Sequence, residues 1–182
     1  MLRMILWKAS CWWQRVRYGV LTVGTPRLKA ASESKGISPA IDLVRHRRTG
    51  QVYLVEHAPY ARVPGASTPY GEPREIPKER LTEVLLPAVL CTLDNFEKRE
   101  AVSGNAIGTE NEKLHRSRSV QWISITRDGQ LSLTVRPIHR KNGGRGQSLH
   151  EEDVTVTLPC SGEDFISVVE AAWCESSVSI AG

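Results

Sequence analysis

The residues able to do acid–base, nucleophilic or metal chemistry are few. They are five histidines, His46, His57, His115, His139 and His150, and four cysteines, Cys11, Cys91, Cys160 and Cys174. An enzyme would need a nucleophile, a base and a stabiliser of developing charge in one site, and no spacing joins these residues into such a set. Cys91 and Cys174 fall near the ends of amphipathic helices and read as small core or near-core residues. His139, beside Arg136, Arg140 and Lys141, reads as structural or exposed rather than as a base. His150-Glu151-Glu152-Asp153 has metal-ligand types, but neighbours alternate across a strand and no second histidine lies at i+4 on a helix. Gly143-Gly144-Arg145-Gly146 shares only its glycines with a phosphate loop: it follows a hairpin, lacks the Gly-Lys-Ser/Thr end and opens no helix. The expectation is a protein that is not an enzyme, with no metal or cofactor, acting through a surface.

Charge says more about that surface. The chain has 182 residues and a formal net charge of +4, but the charge is divided. Residues 1–50 hold ten Lys/Arg and two Asp/Glu, whereas residues 51–182 hold fourteen and eighteen. From Gly146 onward there is no Lys or Arg, only the carboxylates Glu151, Glu152, Asp153, Glu163, Asp164, Glu170 and Glu175. A basic leader is joined to an acidic body, and an overall pI near 9.0 averages the two.

Arg3, Lys8, Arg15 and Arg17 break every apolar stretch of the leader, so it lacks the apolar core of an export signal. Three readings of residues 1–23 stay open: an amphipathic basic segment that touches a membrane or nucleic acid, a helix packed through Trp7, Trp12 and Trp13, or sequence upstream of the true start. Gly24 to Pro39 reads as a flexible entry. No run approaches the ~20 apolar residues of a membrane span, and the cysteines lack C-x-x-C spacing, as in a chain kept reduced in the cytoplasm.

The elements that must present this surface occur twice. Leu43-Val44 leads through Arg48-Thr49-Gly50 into Gln51-Val52-Tyr53-Leu54-Val55. Val120 to Ile125 leads through Arg127-Asp128-Gly129 into Gln130 to Val135, and the two turns overlie at an offset of 79. Alternating β-branched residues around such glycines predict hairpins. Each hairpin is followed by a polar loop and a short strand that ends in Ile76-Pro77 or Leu158-Pro159. A helix follows, with apolar positions at Leu81, Val84, Leu85, Ala88, Val89 in one copy and Phe165, Val168, Val169, Ala172, Trp173 in the other. Pro87 predicts a kink or a late start in the first helix. Ser161 and Gly162 ahead of Glu163-Asp164 predict a capped second one. The expected fold class is α+β: two related strand-hairpin plus amphipathic-helix units packed as one domain over residues 41–182, after the leader 1–40. The first unit is 41–97, the connector 98–119 with room for a short helix, and the second unit 120–182.

The second copy, with its hairpin Ile123 to Pro137, His139, the glycine run 143–146, the strand Val154 to Leu158, Pro159 and Glu163-Asp164-Phe165 ahead of a helix ending at Cys174, resembles the immunity proteins of bacterial contact-dependent growth inhibition systems. The first copy resembles them more loosely. The resemblance implies a cytoplasmic protein that binds the C-terminal toxin domain of its own system's effector, often a nuclease, and neutralises it. A nuclease presents a basic surface to phosphates, and an acidic body would be steered to it. On that reading Glu151, Glu152, Asp153, Glu163, Asp164 and Glu170 are the candidate toxin-binding residues. The alternative is a nucleic-acid-binding accessory protein that uses the leader, His46-Arg47-Arg48 and the Arg136/Arg140/Lys141/Arg145 group, with Trp12, Trp13 and Tyr18 able to stack on bases. The net acidic body argues against it.

Overall fold

Period-two alternation builds every long strand of the sheet. In β1 (Ala40–His46) and β2 (Val52–Pro59), Ile41, Leu43, Val52 and Leu54 turn to one face and are fully or nearly fully buried there. Val44, Val55 and Tyr53 turn to the other. β3 (Ser67–Ile76) follows, then a 3-10 turn at Lys78–Arg80 and the helix α1 (Leu81–Phe96). A second helix, α2 (Thr109–Arg116), lies in the connector. β4 (Val120–Arg127), β5 (Ser132–Arg140), β6 (Gly146–Ser148), β7 (Val154–Thr157) and α3 (Gly162–Glu175) complete the order. This computed structural model describes residues 37–96, 98–102, 107–117, 119–140, 146–148 and 152–176. The readings of the leader to residue 36, including Cys11, of Gly143 to Arg145, and of His150 and Glu151 lie outside them.

The sheet is antiparallel throughout, in the order β3-β2-β1-β4-β5-β6, with β7 also on β5. The first strand of each unit therefore pairs with the first strand of the other at the centre. Leu43 opposes Leu54 in one hairpin as Ile125 opposes Val135 in the other. These equivalent pairs relate the halves by an approximate two-fold rotation normal to the sheet, whose axis passes at the Asp42–Ser124 pair. The α+β class and the pairing of two like units are as expected.

Three details correct the sequence reading. Both turns use a glycine in the left-handed region, Gly50 at φ 70° and Gly129 at φ 75°. The strands behind them, however, match at offsets of 82 and 81 rather than 79. Leu131 stays in the second turn, 64% exposed, so Val52 corresponds to Leu133 and not to Leu131. Next, α1 runs without interruption through Pro87 from Leu81, so it does not start late. Pro87 and Glu83 are both exposed, so the carbonyl that loses its N–H partner lies on the solvent side. Finally, the outer strand of the first unit is ten residues long, not short, while that of the second is divided into β6 and β7.

The core lies between the sheet and the layer of α1 and α3. Phe165, Val169 and Trp173 of α3 and Leu85, Val89 and Leu93 of α1 interlock over Ile41, Leu43, Ile123 and Ile125. A smaller cluster of Val44, Val55, Val120 and Trp122 sits on the opposite face, packed against Leu114 of α2. No helix among the described residues is long and apolar enough to cross a membrane.

Candidate functional site

The two long helices begin side by side. Ser161 caps α3 by accepting a hydrogen bond from the Asp164 N–H at 3.0 Å, and its hydroxyl donates to the Asp164 carboxylate at 2.7 Å. The next residue must be small: a Cβ on Gly162 would run into the carbonyl oxygen of Thr82 in α1. This close approach brings Glu163 and Asp164 to the first turn of α1, beside Glu83, which accepts from Arg80. Over residues 77–96 and 161–175, the helix layer carries seven carboxylates, Glu79, Glu83, Asp94, Glu163, Asp164, Glu170 and Glu175, against two cations, Lys78 and Arg80. Acids in the first turn of each helix also suit the helix dipole.

The structure divides the six candidate acids. Glu163 and Asp164 are exposed on this layer. Glu170, two turns further along α3, is bound by Arg45 of β1. Glu152 and Asp153 lie at the break between β6 and β7 and turn back onto the sheet. Asp153 accepts two hydrogen bonds from Arg136, at 2.7 and 2.6 Å, and Glu152 is held by His139. Asp153 in turn holds the Arg136 guanidinium above its ordinary value. Three of the six therefore have internal cationic partners, Glu170 among them from within the helix layer; Glu163 and Asp164 are the exposed acids of that layer, and Glu151 lies outside the described residues.

Arg45 joins several groups at the far end of α3. Its Nε donates to Gln121 at 2.8 Å, and its guanidinium carbon lies 4.5 Å from the centre of the Trp173 ring. Gln121 donates to the Trp173 carbonyl at 2.8 Å. The equivalent residue of the other unit, Arg127 of β4, pairs with Asp94 of α1 at 2.5 Å. Each central strand thus holds the helix of the opposite unit.

Sequence reasoning missed one polar cluster. On the sheet face away from α1 and α3, His57 bonds Asp42 through Nε2 at 2.9 Å and Ser67 through Nδ1 at 3.0 Å. Asp42 and His57 are 6% and 8% exposed. Burial pushes the Asp42 carboxyl up, but the charge and hydrogen bond of His57 and the hydrogen bonds of Trp122 and Ser124 outweigh it, and the group is held below its ordinary value. The ionised Asp42 carboxylate accepts a hydrogen bond from the His57 Nε2–H, and Nδ1 completes the chain to the Ser67 hydroxyl. Carboxylate, imidazole and hydroxyl stand in the order of a nucleophilic relay, with the ring nitrogens exchanged relative to the serine-hydrolase arrangement. Such a relay also needs donors aimed at a developing oxyanion. The three residues tie β1, β2 and β3 together. Only the register of three strands reveals this cluster, and no local spacing marks it.

The thiols also need correction. Cys91 and Cys174 are exposed rather than core, because each lies on the outer side of its helix. Cys160 is half-buried, and burial together with the Asp164 charge pushes its thiol up, away from the thiolate a nucleophile needs. His139 is 7% exposed and bound to Glu152. Among the described residues, no three His, Cys, Asp or Glu side chains gather as metal ligands.

A last feature lies at the β1–β2 turn, where Arg47 and Arg48 are exposed and the Arg47 N–H donates to the Ser119 carbonyl at 2.8 Å. The C-terminal turn of α2, with Lys113 and Arg116, is thereby brought beside it.

No protein-family model matches the chain, and no curated protein does. Among solved structures, a protein of unknown function from Neisseria meningitidis, NMB0488, is similar in fold, with a TM-score of 0.58 at 14% sequence identity, over 78% of this chain and 97% of that one.

Proposed function

We propose that this protein is a cytoplasmic immunity protein, which binds and neutralises the cognate C-terminal toxin domain of a contact-dependent growth inhibition effector by docking a basic face of that toxin on the acidic helix layer. The observation that carries the reading is the meeting of the two helix starts at Gly162 and Thr82, which sets Glu163 and Asp164 beside the acids of α1. Carboxylates fixed on two packed helices form a preorganised field, and such a field raises association rates with a basic partner more than it adds contact energy. Glu152, Asp153 and Glu170 then serve mainly to hold the domain together.

The test is co-expression with the toxin domain encoded immediately upstream. The expected result is rescue of growth and a one-to-one complex; absence of both overturns the reading. Glu163→Lys with Asp164→Lys is expected to slow association by roughly 10-fold or more at low salt, with the difference shrinking as salt rises. Surface plasmon resonance across a salt series reads this directly.

A further inference from the structure

The two outer edges of the sheet are finished differently. The free side of β3 carries Pro69 and Pro73, a register shift beside Gly71, and a connector residue bound to it, the Gly108 N–H donating to the Gly71 carbonyl at 2.8 Å. Prolines, irregularities and covering segments keep an edge from pairing with another chain. β7 is built without them. Its residues, Val154-Thr155-Val156-Thr157, are all β-branched, and its register with β5 is continuous. Among the described residues, no strand lies on its other side.

The direction of the β7 peptide groups follows from one bond just beyond the strand. The Leu158 N–H donates to the Leu131 carbonyl at 2.7 Å, in register with the β5–β7 pairs. Peptide groups alternate sides along a strand, so Val154 and Val156 bond β5, whereas the N–H and C=O of Thr155 and of Thr157 point to the open edge. Apolar side chains flank the same edge. Val154 shares the face of the buried Val156 and is 41% exposed, and Leu131, beside Leu158, is 64% exposed. Val154 and Leu131 thus mark the two ends of β7 with exposed apolar surface.

We infer that β7 is the contact through which two copies of this chain form an antiparallel, two-fold dimer centred on Val156. In that register Thr155 of one copy opposes Thr157 of the other, and each such pair exchanges both of its N–H to C=O hydrogen bonds. Val154 falls opposite Leu158 of the second copy, next to Leu131 of that copy, so the exposed apolar groups at the two ends of the strand cover each other. Charge does not oppose the contact, because Glu152 and Asp153, at the start of β7, are held by His139 and Arg136 of their own chain. A contact through one short strand falls below the roughly 1,200 Å² of a standard interface, so the dimer is weak and depends on concentration.

Sedimentation equilibrium of the full chain from about 10 µM to about 1 mM should show the average mass rising from 20.2 kDa toward twice that value. Val154→Lys sets a solvated charge on the edge, and Thr155→Pro removes an outward N–H without breaking the ladder to β5. Each should weaken association by roughly 10-fold or more. An unchanged melting temperature of Val154→Lys confirms the fold, and this variant decides the matter if the proline disturbs β7. Amide exchange read by NMR at both ends of the concentration range locates the contact. Exchange at Thr155 and Thr157 should slow as concentration rises, while Val156 and Leu158, bonded within the chain, should not change. A chain that stays monomeric throughout, a Val154→Lys variant that associates like the original, or slowing elsewhere but not at Thr155 and Thr157 overturns the inference. Slowing at those two amides only when the cognate toxin domain is added assigns the edge to the toxin and overturns it likewise.

Discussion

The two halves of the sheet share a backbone plan and differ in what closes their outer strands. In the first half, β3 is continuous but changes register opposite Leu54 and Glu56, where Gly71 adopts φ 66°. The residues gained there carry Glu72, whose carboxylate caps α2 by accepting from the N–H groups of Thr109 and Glu110 at 2.9 and 3.0 Å. In the second half, the break is complete and separates β6 from β7, with Glu152 and Asp153 turned onto His139 and Arg136 of β5. An acid at the interruption is thus used outward in one unit, to seat a connector helix, and inward in the other, to bind its own sheet. The axis itself shows the same divergence: Asp42 faces Ser124 there, and only Asp42 has recruited a histidine. The two halves share their apolar faces, while their polar groups are specific to each half.

The largest expected effect tests that asymmetry. Asp42→Ala leaves His57 buried without its carboxylate and should cost about 3–5 kcal/mol. Asp153→Ala frees an arginine that water reaches more easily, with the pair's side chains 24% and 18% exposed, and should cost about 1–3 kcal/mol. Urea titration of the two variants measures the gap, and equal losses would mean that the halves share their polar load. The pH dependence has a definite sign. Because the folded Asp42 carboxyl lies below its ordinary 3.8, its contribution is complete above that value and is lost as pH falls below it through the folded pKa. Asp42→Asn should therefore lose stability at neutral pH and show a flatter stability profile below about pH 4 than the unaltered chain.

The apolar frame was legible in the sequence because periodicity is local. Leu81, Leu85 and Val89 in one helix and Phe165, Val169 and Trp173 in the other lie on the core faces the spacing predicts. Gly50 and Gly129 mark both turns for a conformational reason. Matching the units on those glycines failed by two or three residues, because the glycine does not reveal how much of the following chain remains in the turn; Leu131 does. The acidic run was misleading for a related reason. Glu152 and Asp153 look like solvated charges until the register of β5 places Arg136 and His139 beside them, 13 to 17 residues back. The same register dependence hid His57 from any pairing with Asp42 and Ser67. The exposed Glu163 and Asp164 were legible as a helix start, since Ser161 and the first-turn acids form a local signal.

A middle-sized effect concerns the crossed pairs. Arg45 and Arg127 are equivalent on β1 and β4, and each binds an acid on the helix of the other unit. Arg45 adds the Trp173 ring and Gln121, whereas the partner of Arg127, Asp94, is 58% exposed. Arg45→Ala should cost about 1–3 kcal/mol through lost stacking and hydrogen bonding. Arg127→Ala should stay within about 1 kcal/mol, as screened pairs do. Raising salt to 1 M should shrink the loss for Arg127→Ala and leave most of that for Arg45→Ala. Equal, salt-sensitive losses would reduce the second-unit helix contact to a surface ion pair.

The smallest expected effect separates the two ways in which helix starts are sealed. Ser161→Ala removes a neighbouring side-chain cap and should cost about 1 kcal/mol. Glu72→Ala removes a cap delivered from a different strand, so it should cost a similar or smaller amount, about 0.5–1 kcal/mol, but with a different distribution. Losing the local cap should fray the first turn of α3 while leaving its core contacts, because Phe165 and Val169 remain fully buried. Losing Glu72 should release α2 along its length, since its one buried residue, Asn111, also depends on this strand, donating to the Gly71 carbonyl at 3.2 Å. Amide hydrogen exchange distinguishes the two: faster exchange confined to residues 162–165 in the first variant, and across 109–116 in the second. If Glu72→Ala accelerated exchange only at Thr109 and Glu110, the connector helix would be anchored by Leu114 against Trp122 rather than by the acid at the strand interruption.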